Sequence, residues 1–122
     1  MVEDSEPVRE TFAELLSAMP GFELAGMAAS ESQATEWLTG HDDGWEIAIV
    51  DLMLKGGSGF NLIPKLKAAA GRTVIVYSGF VTPEVKQRCM DLGADAVFQK
   101  SGTEGMLQYL VSLRTRRRVT GV

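Results

Sequence analysis

Five side chains of the kinds that carry phosphoryl and metal chemistry stand at or just after the ends of apolar stretches. They are three acids, one hydroxyl and one amine: Glu3, Asp4, Asp51, Ser78 and Lys100. Three carboxylates at one point repel one another, so a divalent cation is the natural way to hold them together. Oxygen ligands without His or Cys favour Mg²⁺ or Mn²⁺ over zinc. Because phosphate oxygens usually complete a magnesium shell, these residues predict a site for a phosphoryl group.

The same residues can be given chemical roles. A carboxylate such as that of Asp51 can attack phosphorus and form an aspartyl phosphate. The ammonium group of Lys100 and the hydroxyl group of Ser78 suit the remaining phosphoryl oxygens. Gly79, directly after Ser78, leaves room and an accessible backbone N–H. The set therefore predicts phosphoryl transfer to an acid.

The elements that must position these residues follow from the apolar pattern. Strand-like stretches at 22–28, 46–51, 73–77 and 96–98 alternate with helical patterns of about ten residues. This alternation predicts βαβ units, a parallel sheet and helices on both faces. Ligands of such sheets bind beyond the carboxyl ends of the strands. The architecture alone therefore brings the five residues to one edge.

Composition bounds the class of protein. The 122 residues predict one domain, and 45% hydrophobic with 23% charged residues is an ordinary globular balance. No apolar run reaches the ~20 residues of a membrane span. A single cysteine, Cys89, and a single histidine, His41, exclude a CxxC metal site, an internal disulfide and a His-cluster centre. We expect a soluble, cytoplasmic domain.

The charge is divided unevenly along the chain. Residues 1–61 hold twelve acids and two bases, whereas residues 62–122 hold four acids and ten bases. Three arginines stand at 116–118, but no base-reading motif accompanies them, so nucleic-acid binding is not predicted. We expect a folded domain over 1–115 and a basic C-terminal tail over 116–122.

Four motifs in register resemble one family. VEDSEPVR at the start, IAIVDLMLKGGSGF around Asp51, VIVYSG ending at Ser78–Gly79 and LGADAVFQKS ending at Lys100–Ser101 are similar to the response-regulator receiver domain of two-component systems. The resemblance covers nearly the whole chain. It implies a flavodoxin-like, doubly wound parallel sheet of five strands in the order 2-1-3-4-5, in a single-domain receiver or the receiver portion of a longer regulator.

The resemblance also implies a role for each matched residue. Asp51 corresponds to the phospho-acceptor, and Ser78 to the switch hydroxyl. The other implied roles are the direct metal ligand at Asp4, its partner acid at Glu3, a metal-binding backbone carbonyl at Met53 and the phosphate-pairing amine at Lys100.

The function that the resemblance implies is signalling. A histidine kinase or a phosphotransfer protein would supply the phosphoryl group in the presence of Mg²⁺. The phosphorylated domain would bind an output protein, pair with a second copy or pass the phosphate on. The implied contact surface is 83–113, with Lys86, Gln87 and Arg88 exposed. Such a domain phosphorylates and dephosphorylates itself and is not an enzyme with an external substrate.

The sequence departs from the family in three places. One is Ser101, where the family often has a proline in a cis bond and where we expect a trans bond. The first strand is truncated to Met1 and Val2, which would leave a slot in the sheet; either the natural chain starts earlier or another chain fills the slot. Val97 stands at the switch position where many receivers have Tyr or Phe, and Phe98 should point to the opposite face. Signalling through a swinging aromatic ring is therefore not predicted.

Two interpretations stay open at the rim of the site. Met53 and Phe80 occupy positions that vary in the family and are apolar here. They either shield an acyl phosphate from water or simply pack at the rim.

Three rival functions can be compared with the receiver. An aspartate-nucleophile phosphatase would need an acid at Met53, and a flavodoxin-like binding module would need a phosphate-binding loop in place of the acids at 3–4. A receiver-like module that binds partners without phosphorylation fits the same residues.

Overall fold

The computed structural model describes residues 1–41, 44–68 and 71–120, with side chains up to residue 113. Helices and strands alternate along most of the chain. In chain order they are α1 Glu6–Ser17, α2 Glu31–Gly40, β1 Ile47–Val50, α3 Gly59–Lys67, β2 Thr73–Ser78, α4 Pro83–Leu92, β3 Ala96–Gln99, a 3₁₀ turn Lys100–Gly102 and α5 Thr103–Thr120.

The strands form a parallel sheet in the order β1-β2-β3. Ile47 pairs with Thr73, and Ile75 pairs with Ala96. Val2 extends the sheet on the other side of β1, because it forms parallel bridges to both Val50 and Ala28. Ala28, Val2, β1, β2 and β3 therefore lie side by side in this order. Counted along the chain from Val2 as the first segment, this is the predicted order 2-1-3-4-5. The predicted α/β class and doubly wound topology are confirmed.

The two segments beyond β1 on the side of Val2 are much shorter than a full strand. Only Ala28 of the predicted strand 22–28 pairs, and residues 22–27 form no regular element. The predicted extent of that strand is therefore wrong. The physical reason is that a strand needs a paired neighbour, and in the described structure the neighbouring segment consists of Met1 and Val2.

Met1 and Val2 nevertheless bond to both neighbours. Val2 N donates to Ile49 O at 2.8 Å, and Ala28 N donates to Met1 O at 2.9 Å. The terminal nitrogen of Met1 donates to Gly26 O at 3.0 Å. Burial lowers the pKa of this amino group to about 6. The short first segment is thus fixed in the register of a central parallel strand.

Alternation along the strands divides the core into two layers. Val50, Val74 and Val76 pack with α3 and α4 on one face. Ile49 and Ile75 pack with α1 and α5 on the other. Both faces of the sheet are covered, and the middle residues of the strands are apolar, as expected of a parallel sheet with helices on each side.

Local capping fixes the starts of several helices. The hydroxyl of Ser30 accepts from Gln33 N, and the side chain of Gln33 accepts from Ala29 N. Thr82 caps α4 through Val85 N, with Pro83 following, and Gly93 ends that helix at φ 114°. Side-chain caps at the start and a left-handed glycine at the end are common boundaries of helices.

The final helix continues into the basic segment. The backbone of α5 remains helical to Thr120, whereas the side chains of the arginines at 116–118 lie outside the described part of the chain. Among the helices of the described residues, none combines the length and the apolar character that crossing a membrane requires.

Candidate functional site

Asp51 directly follows β1 and lies at the centre of the site. Its side chain is buried, with the residue 4% exposed. One carboxylate oxygen, Oδ1, accepts from the Ser78 hydroxyl at 2.8 Å and from Met53 N at 3.2 Å. The other, Oδ2, accepts from Lys100 Nζ at 2.8 Å. Three segments of the chain therefore converge on one carboxylate, because parallel strands end at the same edge of the sheet.

Glu3 and Asp4 come to the same point because Val2 pairs with Val50 and Ala28. Glu3 is 1% exposed, and its Oε2 accepts from Ser5 N at 3.0 Å. Asp4 is half-buried, and its Oδ2 accepts from Lys55 N at 2.8 Å. One oxygen from each of Glu3, Asp4 and Asp51 lies within 4.8 Å of the others. The three acids are thus close enough to share one ion.

Burial and the neighbouring charges shift the pKa values of Glu3 and Lys100. Burial raises the pKa of the Glu3 carboxyl, and the neighbouring Asp51 charge adds to that rise, while the nearby Lys100 ammonium and the hydrogen bond from Ser5 N oppose it. Burial alone would lower the pKa of Lys100, but its hydrogen bond to Asp51 and its attraction to Asp51 and Glu3 together raise it. Lys100 therefore remains a cation that compensates two buried acids.

The donor set fits a hard divalent cation. All three side chains offer carboxylate oxygens, and no His or Cys joins them in the described cluster. Glu3 Oε1 is buried and accepts no well-oriented hydrogen bond, although Lys100 Nζ lies 2.7 Å away. A buried acceptor without such a bond is costly, and coordination to a cation would satisfy it. Mg²⁺ or Mn²⁺ is compatible with these residues.

The backbone carbonyl of Lys100 is contacted by hydroxyl groups that the sequence analysis did not identify. The hydroxyl of Tyr77 donates to the hydroxyl of Thr103 and lies 3.3 Å from Lys100 O. The Thr103 hydroxyl also donates to Lys100 O, at 2.9 Å. The feature of the sequence that could have indicated these contacts is Tyr77 in β2, which follows the aliphatic residues 74–76. These contacts fix the backbone from which the amine reaches Asp51.

Gly59 is a second residue that the sequence analysis missed. It begins α3, and a Cβ built there would lie 2.0 Å from Asp51 O and 2.8 Å from the Cα of Leu52. Gly59 N donates to Leu52 O at 3.0 Å. Only glycine permits this approach, so α3 packs directly against the backbone that carries the central acid.

The rim of the site is open and apolar. Met53 is 72% exposed and Phe80 is 68% exposed. A Cβ at Gly79 would meet no atom within 4 Å apart from its chain neighbours, so the protein leaves open space at Gly79. The rim therefore combines two exposed apolar side chains with an open position directly after Ser78.

Val97, at the predicted switch position, packs into the core on the α3 and α4 side. Phe98 packs on the other face, with its ring centroid 5.7 Å from that of Tyr109. The aromatic ring next to the switch position thus points away from Ser78.

Comparison with known proteins places the chain among signalling domains. The family model described as "Response regulator receiver domain" matches residues 1–112. A cyclic di-GMP phosphodiesterase of Thermotoga maritima is 28% identical over 120 residues, which are 98% of this chain and 31% of that protein. A protein-glutamate methylesterase/protein-glutamine glutaminase of Anaeromyxobacter dehalogenans is also 28% identical over 120 residues, 98% of this chain and 35% of that protein. The chain thus spans about a third of the length of these curated relatives.

Solved structures show the same fold. A response regulator protein from Burkholderia pseudomallei, solved with a phosphorylated aspartic acid, a calcium ion and citrate, has a TM-score of 0.77 at 22% identity. The match covers 99% of this chain and 72% of that one.

Proposed function

The chain belongs to the response regulator receiver domain family, and from that premise we propose that it accepts a phosphoryl group on Asp51. The donor is the phosphohistidine of a histidine kinase or of a phosphotransfer protein. The observation that carries the proposal is the convergence of Ser78 and Lys100 on the two oxygens of the buried Asp51 carboxylate. A relative in fold carries a phosphorylated aspartic acid, which agrees with this chemistry.

The proposed reaction is a direct displacement at phosphorus. A carboxylate oxygen of Asp51 forms the new O–P bond, the N–P bond of the phosphohistidine breaks, and its electron pair stays on the imidazole nitrogen. Lys100 and Ser78 already donate to the Asp51 oxygens and can donate to the phosphoryl oxygens as these arrive. Water later attacks phosphorus, releasing inorganic phosphate and restoring the carboxylate.

Mg²⁺ or Mn²⁺ fits this reaction as a source of positive charge that offsets the charge on the phosphoryl oxygens. The residues proposed to hold the ion are the side chains of Glu3, Asp4 and Asp51, with the backbone carbonyl of Met53. Glu3 is positioned for this by Ser5 N, and Asp4 by Lys55 N. These hydrogen bonds orient the acids before the ion binds.

The proposed role of the phosphorylated domain is to change its binding to a separate protein, to pair with a second copy or to relay the phosphate. The surface over 83–113 offers exposed Lys86, Gln87 and Arg88 for that contact. We assign the receiver to 1–115 and a basic tail to 116–122, and we place the domain in the cytoplasm with its kinase. It turns over no external substrate.

A direct experiment tests the proposal. The purified protein is incubated with acetyl phosphate and Mg²⁺, and its intact mass is measured. We expect a gain of one phosphoryl group that hydroxylamine removes, that Asp51→Asn abolishes and that EDTA prevents. Asp95→Asn is the matched control, because Asp95 instead pairs with Lys67. If the wild-type protein gains no phosphoryl group, the proposal fails in favour of a receiver-like module that binds partners without phosphorylation.

A further inference from the structure

The loop between β1 and α3, residues 53–58, is closed at its base by a short antiparallel contact. Met53 and Ser58 form an isolated bridge, and the hydroxyl of Ser58 accepts from Phe60 N at the start of α3. Most of the loop is exposed to solvent. Because the backbone carbonyl of Met53 is a proposed ligand of the cation, whatever fixes this loop also affects the cation site.

Glu31, the first residue of α2, holds the loop with both its backbone and its side chain. Glu31 N donates to Gly56 O at 2.9 Å. Its Oε1 accepts from Ser58 N at 2.9 Å and from the side-chain amide of Asn61 at 3.1 Å. These hydrogen bonds, that from Ser58 N most of all, hold the pKa of the Glu31 carboxyl below its usual value. Glu31 is therefore ionised at neutral pH, and a charged oxygen is the stronger acceptor.

The close approach of α2 to the loop requires glycine on the side of the loop. Gly57 has a φ of 100°, and a Cβ there would lie 2.5 Å from Glu31 Cβ and 2.6 Å from its Oε1. A Cβ at Gly56 would lie 3.2 Å from the Cβ of Ser30. A side chain at Gly57 would therefore displace the Glu31 carboxylate, and the two glycines fit the loop to the start of α2.

Asp4 holds the same loop at a second point, because its Oδ2 accepts from Lys55 N at 2.8 Å. Asp4 is also one of the acids that could hold the ion; among the described residues these are Glu3, Asp4 and Asp51. Glu31 stands outside that cluster, so its carboxylate remains bonded to the loop when the ion binds. The loop is thus supported by one acid of the site and by one acid outside it.

We propose that Glu31 is a positioning residue for the cation: its carboxylate fixes Ser58 and, through the bridge between Ser58 and Met53, holds the Met53 carbonyl for Mg²⁺ or Mn²⁺. This role rests on the proposed function, in which the cation accompanies the phosphoryl group. A loop that is fixed in advance loses less conformational entropy when the ion binds, so the ion binds more tightly. Glu31 touches neither the ion nor the phosphoryl group and acts only through the loop.

The test compares Glu31→Ala with Glu31→Gln, which keeps an acceptor oxygen for Ser58 N but removes the charge. Glu36→Ala is the matched control, because Glu36 is an exposed acid of the same helix. Binding of Mn²⁺ to the unphosphorylated protein is measured at pH 7 by electron paramagnetic resonance. Phosphorylation by acetyl phosphate is followed separately over a range of Mg²⁺ concentrations.

We expect Glu31→Ala to raise both the Kd for Mn²⁺ and the half-saturating concentration of Mg²⁺ roughly 3–10-fold. The phosphorylation rate at saturating Mg²⁺ should remain close to that of the wild type, a division that a general loss of folded protein would not produce. Glu31→Gln and Glu36→Ala should bind Mn²⁺ with nearly the wild-type Kd.

Two results would overturn the proposal. Equal Kd values for Mn²⁺ in Glu31→Ala and the wild type would mean that the loop needs no support from α2. An equal rise of the Kd in Glu31→Gln and Glu31→Ala would mean that the charge of Glu31, and not its hydrogen bonds, attracts the ion. Since Mn²⁺ binding is measured without phosphorylation, a wild-type protein that binds Mn²⁺ but gains no phosphoryl group would contradict the proposed function alone.

Discussion

The Nζ of Lys100 lies 2.8 Å from Oδ2 of Asp51 and is the counter-ion of that buried carboxylate. The same amine lies 2.7 Å from Glu3 Oε1, so one cation compensates two acids. Removal of one partner of a buried ion pair costs about 3–5 kcal/mol. The Lys100 side chain is 27% exposed, which lowers the expected cost here.

We therefore predict that Lys100→Met lowers the free energy of unfolding by about 1–3 kcal/mol in EDTA. Mg²⁺ should recover more stability in this variant than in the wild type, because the two acids lack their amine. Urea denaturation with and without Mg²⁺ measures both effects. Lys86→Met is the control, since Lys86 is exposed. Equal unfolding free energies for the two variants in EDTA would refute the role of Lys100 as counter-ion.

The contact between Gly59 and the backbone of Asp51 leads to a second prediction. Gly59→Ala places a Cβ 2.0 Å from Asp51 O, so either α3 or the loop must move. We expect a loss of about 1–3 kcal/mol of stability and slower phosphorylation by acetyl phosphate.

Gly40→Ala is the matched control for that substitution. Gly40 also lies in a helix, but a Cβ there meets no atom within 4 Å. This variant should be unchanged or up to about 1 kcal/mol more stable, because alanine loses less backbone entropy on folding. If both variants unfolded at the same urea concentration, the close approach at Gly59 would not constrain the site.

Much of this arrangement follows from the sequence, for a simple reason. The residues Asp51, Ser78 and Lys100 follow apolar strands, and parallel strands deliver their carboxyl ends to one edge, so the meeting of these side chains can be predicted. The role of Gly59 cannot, because it depends on how closely α3 packs against the chain after β1. No local pattern of residues encodes that distance.

The predicted strand over 22–28 shows another limit of prediction from the sequence. Residues 22–28 have the apolar character of a strand, yet only Ala28 pairs. Pairing depends on a neighbour, and the neighbour here is Met1–Val2. Likewise, the contacts of Tyr77 with Thr103 and with Lys100 O join residues far apart in the chain, and no residue alone predicts them.

The rim of the site gives a third prediction. Phe80 is 68% exposed beside an open space next to Ser78, where it can limit the access of water to an acyl phosphate. We expect Phe80→Asn to shorten the phosphoryl half-life several-fold without slowing phosphorylation. Met90→Asn, an exposed apolar residue on α4, is the control. An unchanged half-life in Phe80→Asn would assign Phe80 to rim packing alone.

The single cysteine offers a fourth prediction. Cys89 is fully buried, and burial raises the pKa of its thiol. Because the folded state keeps the thiol protonated, Cys89 contributes to the free energy of unfolding below its usual pKa of about 8.5. This contribution is lost as the pH rises further. Iodoacetamide labelling at pH 8 should be roughly 1,000-fold slower in the native protein than in urea.

Comparing Cys89→Ala with the wild type measures how much of the stability lost at alkaline pH is due to Cys89. Cys89→Ala should lose less stability than the wild type between pH 8 and pH 10. Labelling of the native protein at the rate seen in urea would contradict the buried position of this thiol.

The position of the phosphoryl group tests the central claim most directly. The protein is phosphorylated with acetyl phosphate and Mg²⁺ and treated with borohydride, which reduces an aspartyl phosphate to homoserine, and its peptides are sequenced by mass spectrometry. We predict homoserine at position 51 and nowhere else. Homoserine at position 4, or a phosphorylated protein that yields no homoserine at position 51, would contradict it.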